Sequence, residues 1–417
     1  MRRLTLALVL AHGSGCLVDN PAFQGGATTS STSSASDTSD TSDTSDSASG
    51  GESDDVGDDE PWWDRRWACR RRLTVTNHTE EALVELPVMV RLTPERFDLA
   101  SASPGGADLR VIAADHLTEL DHEIERWDPE DANLWIKLPA LPPGQLDLYL
   151  YWCGEASPLA AASDVWSDSF AAVYHLSDPL DEGALEPLVR DSTGLHHGRA
   201  RGGITDAQRE PGDRGFALRF TGKDDGAGDF IGLDHQEPLS TAGWDAITLE
   251  AWALQAQRGE MRILCQSPST TVAQHVFAIG MHDGGGDESN ERPYVRLGTD
   301  VGDAIELDGG VPVPENTWFY VALTWSSASG LLRVFIDGQQ AAEQPLAGAT
   351  LRSDPTYPAI GNLNGVSLDD ANNDRFWRGL LDELRIHKIA RTPAWIALQH
   401  RAMRDLIVDY SAPDEHL

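Results

Sequence analysis

From residue 61 onward the chain is written in short runs where apolar and polar residues alternate, separated by Pro, Gly, Asn and Asp. Period-two alternation sends successive side chains to opposite faces of an extended strand, so such runs between turn residues predict β-structure. The first group of runs is Arg71–Thr76, Leu83–Leu92, Leu109–Ile112, Leu134–Leu138 and Leu146–Trp152, with a turn at Asn77-His78. Beyond residue 164 the strands holding Trp252, Val321 and Phe335 alternate likewise, so each is expected to bury one face against a facing sheet. Asp337-Gly338 supplies the tight turn, with positive φ, that closes one hairpin. Only Thr392–Arg404 reads as helical, with Thr392 as cap and Pro393 in the first turn. The pattern predicts an all-β chain of two β-sandwich domains, 61–160 and 164–410.

Residues 1–60 follow a different pattern. Arg2 and Arg3 precede the apolar run Leu4–Ala11, which is too short to cross ~30 Å of hydrocarbon as a helix and reads as a cleaved export signal. The ending Gly13-Ser14-Gly15-Cys16 resembles a bacterial lipobox, with Gly13 where Leu is usual. That resemblance implies a signal over 1–16 and acylation of Cys16; ordinary secretion with a free Cys16 is the alternative. Residues 17–60 contain 11 acidic residues, no Lys or Arg, and a repeating Thr-Ser-Asp triplet. Such a segment buries too little apolar surface to offset chain entropy, and predicts a disordered, extended tether. The expected location is the cell envelope, as an outer-membrane lipoprotein or at the cell surface. Membrane contact is expected only through the N-terminal lipid.

Over 417 residues, 67 acidic against 32 basic side chains give a net charge of −35, which excludes a nucleic-acid partner by repulsion from phosphates. Most of that charge lies beyond the tether. Three cysteines remain after Cys16, an odd number in an exported chain. Cys69 and Cys153 fall near the two ends of the first domain, and pairing them would staple its first and last strands. Buried free thiols are the alternative.

Several pieces of the first domain occur in a recognisable order: Trp67, Leu86-Pro87-Val88, Ala107-Asp108-Leu109-Arg110-Val111, Glu123-Ile124-Glu125-Arg126-Trp127, Leu134-Trp135-Ile136-Lys137-Leu138-Pro139 and Leu148-Tyr149-Leu150-Tyr151-Trp152. They resemble a bacterial family of unknown function often found just before jelly-roll modules in surface proteins. The resemblance implies a β-sandwich and no assigned activity. Within it, Glu119-Leu120-Asp121-His122-Glu123 fits the Glu-x-Asp-x-Glu strand of laminarinase-type glycoside hydrolases, where nucleophile, helper and general acid share one strand face. Here the motif sits in a domain of about 100 residues, too small for such an enzyme. The favoured reading is a solvated strand face carrying Glu119, Asp121, Glu123 and Glu125.

In the second domain Asp191-Ser192-Thr193-Gly194, Phe216-Ala217-Leu218-Arg219-Phe220, Ile247-Thr248-Leu249-Glu250-Ala251-Trp252, the runs from Trp318 and Leu332, and Gly379-Leu380-Leu381-Asp382-Glu383-Leu384-Arg385-Ile386 follow in order. They resemble the LamG-like, concanavalin A-type jelly roll. The resemblance implies a structural calcium, with Asp191 and Asp382 as matching ligand positions; a turn-forming role for Asp191 and an Arg385 pair for Asp382 are the alternatives. The acidic stretch Asp369–Asp374 and the loop His282–Glu288 are read as solvated loops. No elbow, zinc or phosphate-loop motif occurs. The expected function is therefore non-catalytic recognition of carbohydrate or a surface protein, through rim loops 281–292 and 362–375. A glycoside hydrolase using Glu119, Asp121 and Glu123, or a structural spacer, is the alternative.

Overall fold

The computed structural model describes residues 61–415, except 160, 167–168, 181–182, 184, 223–227, 236, 284–290 and 365–374. Cys16, the tether 17–60, the stretch 369–374 and the greater part of both rim loops lie outside the described residues. The chain is all-β in its architecture, with a concanavalin A-like jelly roll following a smaller sandwich.

Seven strands build the first sandwich: β1 (Cys69–Asn77), β2 (Leu83–Leu92), β3 (Arg110–Ala113), β4 (Glu119–Leu120), β5 (His122–Asp128), β6 (Asp131–Leu141) and β7 (Gly144–Trp152). β1, β7, β3 and β4 lie in one antiparallel sheet, and β2, β6 and β5 in the other. Leu73, Val75, Leu148 and Leu150 of the first sheet share a core with Val88, Val90, Leu134 and Ile136 of the second. A disulfide joins Cys69 to Cys153, whose Cα atoms are 5.4 Å apart, and so ties β1 to the end of β7.

β8 (Phe170–Tyr174) begins the jelly roll, which consists of two eight-stranded sheets. One includes β8 and the strands Ala246–Gln255, Trp318–Ser326, Leu331–Ile336 and Arg378–His387. The other includes Met261–Gln266, Phe277–Met281 and Pro293–Leu297. Leu249, Ala251, Phe277, Ile279, Val321 and Trp377 pack between them. The hairpin turn at Asp337-Gly338 has φ of 48° and 75°. A Cβ on Gly338 would sit 2.9 Å from Cβ of His400, so the turn needs glycine for space as well as for φ.

The strands around Trp252, Tyr320 and Phe335 bury both faces, which corrects the expectation of one. Leu249, Ala251, Val321 and Val334 enter the jelly-roll core. Trp252, Tyr320 and Phe335 enter the core of the first sandwich, together with Trp395, Ile396 and Met403 of the helix Pro393–Met403. The cause is a second layer laid over the outer face of the sheet. The helix starts as its sequence suggests, with Thr392 Oγ1 accepting from the Trp395 N–H at 3.2 Å. A four-residue helical turn, Ala162–Val165, adds to it between the two sandwiches. After the helix the last strand, Val408–Glu415, returns to the first sandwich and pairs with β1. Residues 60–417 are thus one compact unit. Among the described residues no helix is long and apolar enough to cross a membrane.

Candidate functional site

The Glu-x-Asp-x-Glu stretch is broken between two sheets. Glu119 lies on β4, exposed, 3.2 Å from the Arg110 guanidinium. Asp121 is exposed at the crossing point, where its carbonyl accepts from the Lys137 N–H at 3.0 Å. Glu123 lies on β5, in the other sheet. The three carboxylates therefore do not line one groove.

The solvated-face reading also fails for half of that set, because Glu123 and Glu125 turn toward the jelly roll. Glu123 is 5% exposed and accepts from Trp166 Nε1 at 2.7 Å and from Ser192 Oγ at 2.8 Å. Glu125 accepts from Trp135 Nε1 at 2.9 Å and from Ser177 Oγ at 2.7 Å. Between them sits His175, directly after β8, with Nε2 3.3 Å from Glu123 and Nδ1 2.7 Å from Glu383. The imidazole stacks on Trp135 at 5.7 Å, and the Arg385 guanidinium lies 4.4 Å from the same indole. Arg385 also donates to Glu383 at 2.6 Å.

Electrostatics follow from this packing. Burial by itself would lower the His175 pKa, but Glu383, Glu123 and Glu125 outweigh it and raise it well above the ordinary value. Burial works against the charge of Glu123 and Glu383 too, yet His175 holds both below the usual carboxylate range. For Glu125 burial wins and its pKa rises. A second buried pair, His387 to Glu250 at 2.7 Å, behaves differently: burial drives His387 down to about 4, so that ring is neutral at neutral pH.

Glu125, His175 and Glu383 are the one group of three metal-capable side chains, among the described residues, whose donor atoms all lie within 4.8 Å of one another. Both ring nitrogens of His175 already face carboxylates and Arg385 already neutralises Glu383. The seam matches its own charges without an ion.

Asp191 and Asp382, the expected calcium positions, are each engaged by donors of the protein itself. Asp191 accepts from the N–H groups of Val173, Thr193, Leu195 and His196 and from Thr193 Oγ1, at 2.6–3.2 Å, which shapes its turn. Asp382 is buried beside Arg214 at 3.3 Å, and burial raises its pKa, which favours the neutral acid.

β5 is an edge strand, and its free edge opens onto a cleft of about 350 Å³. His122, Trp127 and Arg190 line it. His122 is buried with Nε2 lacking a partner, and burial lowers its pKa to about 4, so the ring is neutral at neutral pH. Trp127 is half-buried, and Arg190 reaches to 3.8 Å of Glu123. By contrast, Tyr294 on the jelly roll is not an open ring. Tyr294 is fully buried, with the Arg262 and Arg296 guanidinium groups 5.3 and 4.3 Å from its ring.

Sequence reasoning singled out Glu123 but not His175, Glu383 or Arg190, and it offered Arg385 to Asp382, whereas Arg385 pairs with Glu383. The available signal was the closing strand, where Asp382, Glu383 and Arg385 put charges on both faces amid apolar neighbours.

Residues 225–397 match the Concanavalin A-like lectin/glucanases superfamily. No curated protein matches the sequence. Solved structures similar to the chain include domain 4 of AbnA, a GH43 extracellular arabinanase from Geobacillus stearothermophilus, in complex with arabinotriose. It is 18% identical, covering 56% of this chain and 98% of that one, with a TM-score of 0.37. A native heptameric SAP-like pentraxin from Limulus polyphemus is 14% identical, covering 43% and 78%, with a TM-score of 0.31. The binding domain of Paraclostridial Mosquitocidal Protein 1 is 14% identical, covering 54% and 53%, with a TM-score of 0.37.

Proposed function

We propose that the protein is a non-catalytic, exported binding protein that recognises carbohydrate, held at the cell envelope by acylated Cys16 and the tether 17–60. The observation that carries this reading is the cleft beside β5, which Trp127 and Arg190 line at an open edge. A few fixed polar groups around an apolar platform suit a polyhydroxylated ligand. The superfamily match over 225–397 supports a binding role for the jelly roll, which contributes Arg190 to the cleft. Against catalysis, Glu123 is engaged by Trp166, Ser192 and His175, and Glu119 lies in another sheet.

A glycan array probed with the full chain tests it. Binding that is lost in Arg190→Ala and Trp127→Ala supports the cleft. No bound glycan, or binding indifferent to both changes, sinks it and favours a protein partner. Hydrolysis of β-glucans that disappears in Glu119→Gln would overturn the non-catalytic reading. Cys16→Ser is expected to move the protein from the membrane to the soluble fraction.

A further inference from the structure

β1 carries three consecutive arginines, and two of them have acidic partners. Arg70 packs over the Trp62 ring at 4.7 Å and donates to Asp414 at 3.2 Å. Arg72 lies 3.9 Å from Asp147. Arg71, between them, points to the other face of the strand, the one on which Leu73 and Val75 enter the core. It is 8% exposed, its Nε is shut away from any acceptor, and it has no ion-pair partner among the described residues. A core-facing strand position ordinarily takes an apolar residue, and an unpaired buried charge is strongly unfavourable. Burial accordingly pushes the guanidinium below its ordinary pKa.

The side chain is not sealed in. It lines a cavity of about 410 Å³ walled by Glu95, Arg96 and residues 408–412 of the last strand. A register shift between Arg71 and Leu73 bulges that strand, and Ser411 Oγ there accepts the Arg72 N–H at 3.2 Å. Arg96 is paired with Asp405 and lies 4.4 Å over the Tyr410 ring, so its charge is already matched. Arg71 is the unmatched charge of the cavity. Glu95 and Asp409 are exposed at the mouth.

We infer that this cavity binds the carboxylate of a sugar-sized molecule, with Arg71 as the group that holds it. A guanidinium presents paired N–H donors in the plane and spacing of a carboxylate. The two acids at the mouth repel a doubly charged phosphate or sulfate more than a singly charged carboxylate. The volume lies in the range of small-ligand sites, roughly 300–1,000 Å³. The site shares no lining residue with the β5 cleft and does not depend on the reading given to it.

Thermal melts and calorimetric titrations of the full chain test the site, with glucuronate as probe, glucose as its uncharged counterpart, and inorganic phosphate. Glucuronate at about a hundredfold excess over its Kd is expected to raise the melting temperature by roughly 4 °C. Glucose and phosphate are expected to leave it unchanged, and Arg71→Met to abolish the glucuronate response. Without ligand, Arg71→Met is expected to melt at or above the parent, because an unpaired buried charge has gone. A structural arginine would instead make the variant melt lower, which overturns the inference. So do an absent glucuronate shift, an equal shift with glucose or phosphate, and a response that survives in Arg71→Met.

Discussion

Nε2 of His175, in the jelly roll, lies 3.3 Å from a carboxylate oxygen of Glu123 on β5 of the first sandwich. Nδ1 of the same ring lies 2.7 Å from Glu383 of the jelly roll, so one imidazole holds a carboxylate from each sandwich in a buried seam. Glu123→Gln keeps the shape and removes one charge. Breaking a buried pair from one side costs about 3 kcal/mol. Urea titration is expected to show a loss of that order, and a loss below about 0.5 kcal/mol, the range of surface pairs, would show that the pair holds nothing together.

The pH dependence has a definite sign. His175 is raised well above its ordinary value in the folded protein, so its contribution is complete below the unfolded value of 6.5. It is lost as the pH climbs from there through the raised pKa. Glu123 and Glu383 are lowered, so theirs is present above the ordinary carboxylate value of 4.5 and fades as the pH falls through their lowered values. The stability gap between the parent and His175→Gln should be widest between those limits and shrink toward alkaline pH. A gap constant from pH 6 to 9 would contradict this.

Because Trp252, Tyr320 and Phe335 of the jelly roll share a core with Val88 and Leu134 of the first sandwich, the two are expected to unfold together. Calorimetry should show one transition. Deleting residues 408–417 removes the strand paired with β1 and should lower that transition as a whole. Two resolved transitions in the parent would mean the shared core does not couple them.

Asp191→Asn replaces an acceptor oxygen with an amide that faces N–H donors. The expected cost is about 2 kcal/mol, identical in EDTA and in excess calcium. Destabilisation confined to calcium-containing buffer would restore Asp191 to a cation shell.

The Cys69–Cys153 link spans 84 residues of sequence. On a chain-entropy estimate, closing a loop of that length stabilises by about 4.6 kcal/mol. Reduction under native conditions, or Cys153→Ser, should lower the urea midpoint accordingly, and Cys265, buried with its thiol pushed up to about 11, should stay unreactive throughout.

Much of the fold was legible in the chain. Leu83–Leu92 is a strand over the same residues that alternation marks, and the helix begins after Thr392 with its cap in place. The Asp337-Gly338 turn followed from its residues alone. These are local matters, decided within a few residues by side-chain period, φ and capping. The β5 site was half legible: Glu123 drew attention, but its role did not.

What the chain by itself determined is where many of the strands lie and, within one unbroken strand, which side chains alternate. Period-two alternation separates the two faces of a strand and says nothing of what covers each. Trp252 and Leu249 point to opposite sides of one strand, and only the packed structure shows that both sides are cores. Likewise Glu119 and Glu123 read as one polar face, whereas β4 and β5 belong to different sheets, so water surrounds the first and His175 the second. A polar residue turned to solvent and one turned to a charge across a seam look identical in sequence. Only bringing β5, β8 and Arg378–His387 together from distant parts of the chain decides between them.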